Sequence, residues 1–180
     1  MMRSFSDMTS SLSALVFDPK AGWLFFERFE RILSASRPDE VLPLLKEVES
    51  AVAEGWYAAG FVSYEAAPAF DSAFRVHPSG DFPLAWFGLH SEPRIVDLPP
   101  DDADFPLPDW IPLWDEETFT AKVDAIRQAI ARGETYQVNC TFPLRATFSG
   151  DPLQFFPRFV RHQGVSGAAC IDTGRFVIAS

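Results

Sequence analysis

Apolar residues along this chain switch between two spacings, and each switch marks an element. Residues 14–34 (ALVFDPKAGWLFFERFERILS) carry aromatic and aliphatic positions without a helical repeat, broken by Asp18-Pro19 and Ala21-Gly22. That pattern predicts two strands around a turn. The second is partly exposed, because Glu27, Arg28, Glu30 and Arg31 interrupt its apolar residues. Ser36-Arg37-Pro38-Asp39 reads as a helix start, with Ser36 as cap, Pro38 in the first turn and Asp39 as the capping-box acid. Val41, Leu44, Leu45, Val48 and Val52 then recur at helical spacing until Gly55 stops them. Residues 56–63 (WYAAGFVS) and 84–89 (LAWFGL) read as short buried strands. Gly60, inside the first of these, predicts close approach of a neighbouring element.

Residues 92–114 change character. Prolines from Pro93 to Pro112 are interspersed with Asp97, Asp101, Asp102, Asp104 and Asp109. Proline removes a backbone donor and fixes φ, so neither a helix nor a central strand persists there, and the stretch reads as a surface linker. Asp115 caps the next helix, with Glu116 and Glu117 at its positive end. Its apolar stripe is Phe119, Val123, Ile126 and Ile130, and Gly133 ends it. Residues 135–148 (TYQVNCTFPLRATF) read as one long strand, at an edge or bulged because of Pro143. A helix from Asp151-Pro152 follows, apolar at Leu153, Phe156, Phe159 and Val160, which Pro157 should shorten or kink. Residues 168–171 and 175–179 form a strand pair around Asp172-Thr173-Gly174. Residues 1–13 read as a loose terminus.

Composition narrows the class. The hydrophobic fraction is 47% and the charged fraction 22%, enough apolar material for a packed core. The formal charge of −10 disfavours nucleic-acid binding. A small anionic substrate is still admissible, because one pocket can be positive on an acidic surface. No apolar run approaches the ~20 residues of a membrane span. Cys140 and Cys170 lie in apolar, strand-like sequence without CxxC spacing, which fits reduced core thiols in a cytoplasmic protein.

Candidate chemistry is sparse. His77, His90 and His162 are isolated, so no metal set is expected. There is no phosphate loop, no GxSxG and no GxGxxG. Gln137 and Asn139, two apart, would share one face of a strand and could line a pocket that binds a carboxylate or hydroxyl. They could equally be a solvent-facing side. Glu65, after the 56–63 strand, could be an acid or base, or could cap the following turn.

Beyond that point the residues speak through a resemblance. Residues 130–141 (IARGETYQVNCT) resemble a hallmark of the chorismate-utilising family, in Gly133, Glu134, Tyr136, Gln137, Val138 and Asn139. Asn139 is similar to the aminodeoxychorismate branch. Residues 55–71 (GWYAAGFVSYEAAPAFD) resemble a segment of bacterial aminodeoxychorismate synthases, often seen fused to an aminodeoxychorismate lyase. Residues 149–159 resemble the short helix that follows the QVN strand.

The resemblance implies an α+β fold of the aminodeoxychorismate synthase component I type, with antiparallel sheets packed with helices. Residues 14–91 would be its N-terminal region and 115–180 the start of its chorismate-binding region. It implies an enzyme that aminates chorismate to 4-amino-4-deoxychorismate for p-aminobenzoate and folate synthesis. Mg²⁺ and a glutamine amidotransferase supplying ammonia would be needed. Anthranilate synthase, isochorismate synthase and a non-catalytic aromatic-ligand module are the alternatives.

The family's Ser-Pro-Glu and Pro-Ile-Lys-Gly-Thr stretches do not occur in these 180 residues. The chain is therefore expected to be an incomplete N-terminal half, inactive alone, without catalytic or metal-binding residues and prone to self-association through open sheet edges. The family's tryptophan pocket falls at Asp18, Trp23, Gly164, Val165 and Ser166. Asp18 stands where Ser is expected and Gly164 where Pro is expected, and both departures weaken tryptophan binding.

Overall fold

The computed structural model describes residues 12–98, 108–163 and 167–180. The chain begins there with a hairpin of β1 (Ser13–Asp18) and β2 (Gly22–Phe26). The Asp18 carboxylate closes its turn by accepting the Lys20 and Ala21 amides at 2.8 and 2.7 Å. Gly22 takes φ +84°, a region an L side chain rarely adopts. Ser13 is fully buried within β1, so the strand reaches one residue into the stretch expected to be loose.

β3 (Arg31–Ala35) is not a continuation of this pair. The chain bends over residues 27–30 and Phe29 turns into the core. The charges that suggested a partly exposed strand pair belong largely to this bend.

α1 (Pro38–Ala53) follows. Its capping acid is Glu40, not Asp39. The Glu40 carboxylate accepts the Ser36 and Arg37 amides at 2.9 and 3.0 Å, while Asp39 accepts the Arg37 guanidinium at 3.2 Å. The cap residue is Arg37, one position later than expected, and the box acid stands three residues after the cap. α1 buries Val41, Leu44, Val48 and Ala51, whereas Val52 lies on the exposed side. Next come β4 (Tyr57–Val62), a short 3-10 helix over Tyr64–Ala69, β5 (Ala85–His90) and β6 (Arg94–Val96). β7 (Ile111–Pro112), α2 (Glu116–Ala131) and β8 (Leu144–Arg145) come before α3 (Pro152–Gln163), β9 (Ala169–Asp172) and β10 (Val177–Ala179).

The chain divides into two compact units, residues 1–103 with 151–180, and residues 104–150. In the first unit, one sheet runs β10-β9-β1-β2-β6 and another runs β3-β5-β4, every pair antiparallel. β6 is drawn from the proline-rich stretch, and it is an edge strand, the one sheet position that such sequence tolerates. Three apolar clusters separate four layers. Leu15, Phe25 and Cys170 of the larger sheet pack with Leu153, Phe156 and Val160 of α3. Ala35 and Ala85 of the smaller sheet pack with Val41, Leu44 and Val48 of α1. Between the sheets lie Ala14, Phe26, Phe29, Ala59, Trp86 and Ile171. Antiparallel sheets packed with helices make this an α+β fold.

Pro157 does not end α3, which continues to Gln163. Its ring is fully buried, and that burial offsets the hydrogen bond its missing N–H costs. The β9–β10 hairpin turns at Asp172-Thr173-Gly174, where Gly174 has φ +80° and donates its amide to Asp172 at 2.7 Å.

The second unit holds α2 and a two-residue ladder of β7 with β8. The long strand expected over residues 135–148 is replaced by irregular backbone with only Leu144–Arg145 in a ladder. A strand exists only where a neighbour accepts and donates along it. Among the described residues, only Ile111–Pro112 offers that pairing. None of the described residues in this unit is fully buried, so the α2 stripe is only partly covered.

Candidate functional site

Asp115 starts α2 as expected from sequence. Its carboxylate accepts the Thr118 amide at 2.8 Å. The Thr118 hydroxyl and amide together hold the Asp115 carboxyl below the usual carboxylate range. At the other end Gly133 takes φ +76°, which lets the chain leave the helix. Arg132 and Glu134 pair across this exit at 2.7 Å. The chain then folds back along α2. Trp114 stacks on Phe142 at 5.1 Å, Phe119 meets the same ring edge-on at 5.8 Å, and the Lys122 ammonium sits 4.9 Å above Trp114.

Beside this aromatic group is a shallow cavity of about 350 Å³. Trp114, Lys122, Ile126, Asn139, Cys140 and Thr141 are among its lining residues. Asn139 is on its wall and Gln137 is not. The two amides were placed on one face by a strand's period of two, and without the strand that period does not apply. Tyr136 beside them is 91% exposed. The Gln137 carbonyl accepts the Thr135 hydroxyl at 3.1 Å, a local turn contact. Trp114 and Lys122 carried no sequence signal of their own, since their meeting depends on the chain returning over α2.

The second group of candidate positions belongs to the other unit. Between its two sheets lies a cavity of about 420 Å³ with mainly apolar walls, including Val16, Leu24, Phe26, Tyr57 and Phe87. Asp18 is on its lining. The Asp18 carboxyl is held below the usual range by the Ala21 amide first and the Lys20 amide next. Both of its short contacts are thus spent on the turn. Trp23 is not on this cavity. It stands opposite Phe17 in the hairpin and packs on Phe17 and Phe156 at 5.3 and 5.9 Å. Alternate residues of β2 face opposite ways, so Leu24 and Phe26 face the inter-sheet space while Trp23 and Phe25 face α3. Gly164, Val165 and Ser166 lie outside the described residues.

Gly60 is on the lining of this cavity. A Cβ there would collide with the Trp86 carbonyl oxygen and the Phe87 ring. The close approach read from sequence is therefore that of β5. Glu65 lies in the first turn of the short 3-10 helix, where negative charge suits the N-terminal end.

The two thiols differ. Cys170 is buried in β9, and burial, with Asp172 and Asp151 nearby, pushes its thiol up to about 12. Cys140 is only half-buried, on irregular backbone, and so is not the core residue that its apolar neighbours suggested. The described residues contain no group of three or more His, Cys, Asp or Glu side chains that could hold a metal ion. No described helix is long and apolar enough to cross a membrane.

Residues 94–180 match the family model described as chorismate binding enzyme. The match supports a member of the chorismate-utilising family and does not separate the reactions within it. No curated protein and no solved structure matches the chain.

Proposed function

We propose that this chain is part of an enzyme that replaces the 4-hydroxyl of chorismate with an amino group, giving 4-amino-4-deoxychorismate for p-aminobenzoate and folate synthesis. The observation that carries the reading is the chorismate-binding match over residues 94–180, which contains Gly133, Glu134, Tyr136, Gln137, Val138 and Asn139. Asn139 favours amination over the anthranilate reaction by its resemblance to the aminodeoxychorismate branch, and residues 55–71 point the same way. In this reading a glutamine amidotransferase supplies ammonia, an aminodeoxychorismate lyase is a candidate fusion partner, and the work is done in the cytoplasm. Mg²⁺ would neutralise the substrate carboxylate.

The test is product analysis. The polypeptide read through its complete gene is incubated with chorismate, ammonia and Mg²⁺. Aminodeoxychorismate is the expected product, and anthranilate or isochorismate would overturn the branch. These 180 residues alone are expected to give no turnover, and clear activity from them would overturn that part. The chain is also proposed to self-associate, since its second unit leaves Trp110, Ile111, Leu113 and Leu144 exposed.

The 420 Å³ apolar cavity favours a second reading, an aromatic-ligand module without catalysis. Calorimetry with tryptophan and related aromatic acids separates the two. Micromolar binding with no product from the complete protein would favour the module.

A further inference from the structure

His90 ends β5 at the place where three elements meet. Its ring lies edge-on to Phe26 of β2 at 6.2 Å, and its side chain is largely buried, 19% exposed. Its Nδ1 accepts the Glu92 backbone amide at 3.0 Å. The same Nδ1 is 3.7 Å from a Glu30 carboxylate oxygen. That oxygen already accepts the Ser91 amide at 2.9 Å and the Ser91 hydroxyl at 2.6 Å. The other charged and titratable groups nearby include the side chain of Glu92 itself, two residues along the chain. Tyr57 stands opposite His90 on β4, and Arg94 pairs with Glu27 at 3.3 Å. On the β3 side, Arg31 pairs with Glu47.

A nitrogen that accepts an N–H carries no proton itself. The neutral ring therefore holds its proton on Nε2. Protonation puts a hydrogen on Nδ1, and the Glu92 amide and this nitrogen become two donors facing each other. The nearest acceptor for the new N–H is the Glu30 carboxylate. That carboxylate stays ionised in mildly acidic solution, because the Ser91 hydroxyl and amide hold it below the usual carboxylate range.

We propose that His90 is a proton-operated switch in which uptake of a proton releases the Glu92 amide from Nδ1 and joins the imidazolium to Glu30. In the neutral state Nδ1 ties the start of the connection to β6, residues 91–93, to the end of β5. In the charged state the tie runs from His90 to Glu30, between β5 and the bend before β3, and the Glu92 amide turns to water. β6, which follows this connection, is the edge strand of the larger sheet and pairs only with β2 among the described strands.

The switch is read by NMR on the intact chain between about pH 8 and about pH 5, where histidine charge changes occur. Imidazole nitrogen shifts are expected to show the Nε2–H tautomer at the upper end. As His90 takes up its proton, the Glu92 amide should shift with the same midpoint and lose protection from exchange relative to its intrinsic rate. In His90→Asn, whose amide oxygen offers an acceptor near the Nδ1 position without titrating, the Glu92 amide should stay protected throughout. In Glu30→Gln the Glu92 response should persist while the charge-paired state is lost, seen as a smaller response of the Ser91 amide. Amides of α3, which packs on the other face of the larger sheet, report whether each variant is folded. An Nδ1–H tautomer at the upper end, a Glu92 amide indifferent to His90 protonation, or the same pH response in folded His90→Asn would overturn the proposal.

Discussion

Gly60 shows how far one residue can be read from the chain. A glycine inside an apolar strand predicts close approach, and the Trp86 carbonyl and the Phe87 ring occupy the space its side chain would need. Gly60→Ala is expected to destabilise the fold by about 1–3 kcal/mol, the usual range for overpacking, seen as a lower urea midpoint with unchanged slope. The cysteines diverge for a reason the chain does not carry. Both have apolar neighbours, but only Cys170 is in a strand between two others. Its thiol, pushed up to about 12, is expected to resist iodoacetamide at neutral pH until the protein is denatured. Half-buried Cys140 should be alkylated in the native state. Mass spectrometry of the peptides distinguishes them, and equal labelling of both in native protein would contradict the burial of Cys170.

At the scale of elements, helices were the most legible. A cap, a stripe at helical spacing and a terminal glycine are local signals, and for α2 the cap Asp115 and the terminal Gly133 are where the pattern put them, while of the stripe Val123 and Ile126 are half-buried and Phe119 and Ile130 are exposed. α2 has no fully buried residue, so its ends depend heavily on local bonds. Asp115→Ala is therefore expected to lower the helical circular dichroism signal and to leave unit one's folding unchanged. An unaltered spectrum would show that the cap is dispensable. Strands were harder to read. The alternation of residues 135–148 is real, yet a strand needs a partner, and that partner is not adjacent in sequence. The α3 case runs the other way. Pro157 argues locally for a break, and burial of its ring overrides the argument.

At the scale of the molecule, the two units differ in how much they bury. The first encloses three apolar clusters between four layers. The second leaves Trp110, Ile111, Leu113 and Leu144 half-exposed or more. Surfaces of that kind favour association, so light scattering at high concentration should report a mass above the 20.1 kDa of one chain. A clean monomer would contradict it. The amino-acid sequence by itself determined α1, α2 and α3, the two hairpin turns at Asp18–Gly22 and Asp172–Gly174, and the resemblance to the chorismate-utilising family around Gly133–Asn139, because each rests on residues within one turn or one short run. Only the tertiary structure decided which strands pair, that Trp23 faces α3 while Asp18 borders the inter-sheet cavity, and that Asn139 lines a cavity which Gln137 does not. Those outcomes depend on contacts between residues far apart in the chain, and local spacing carries no information about a partner that distant.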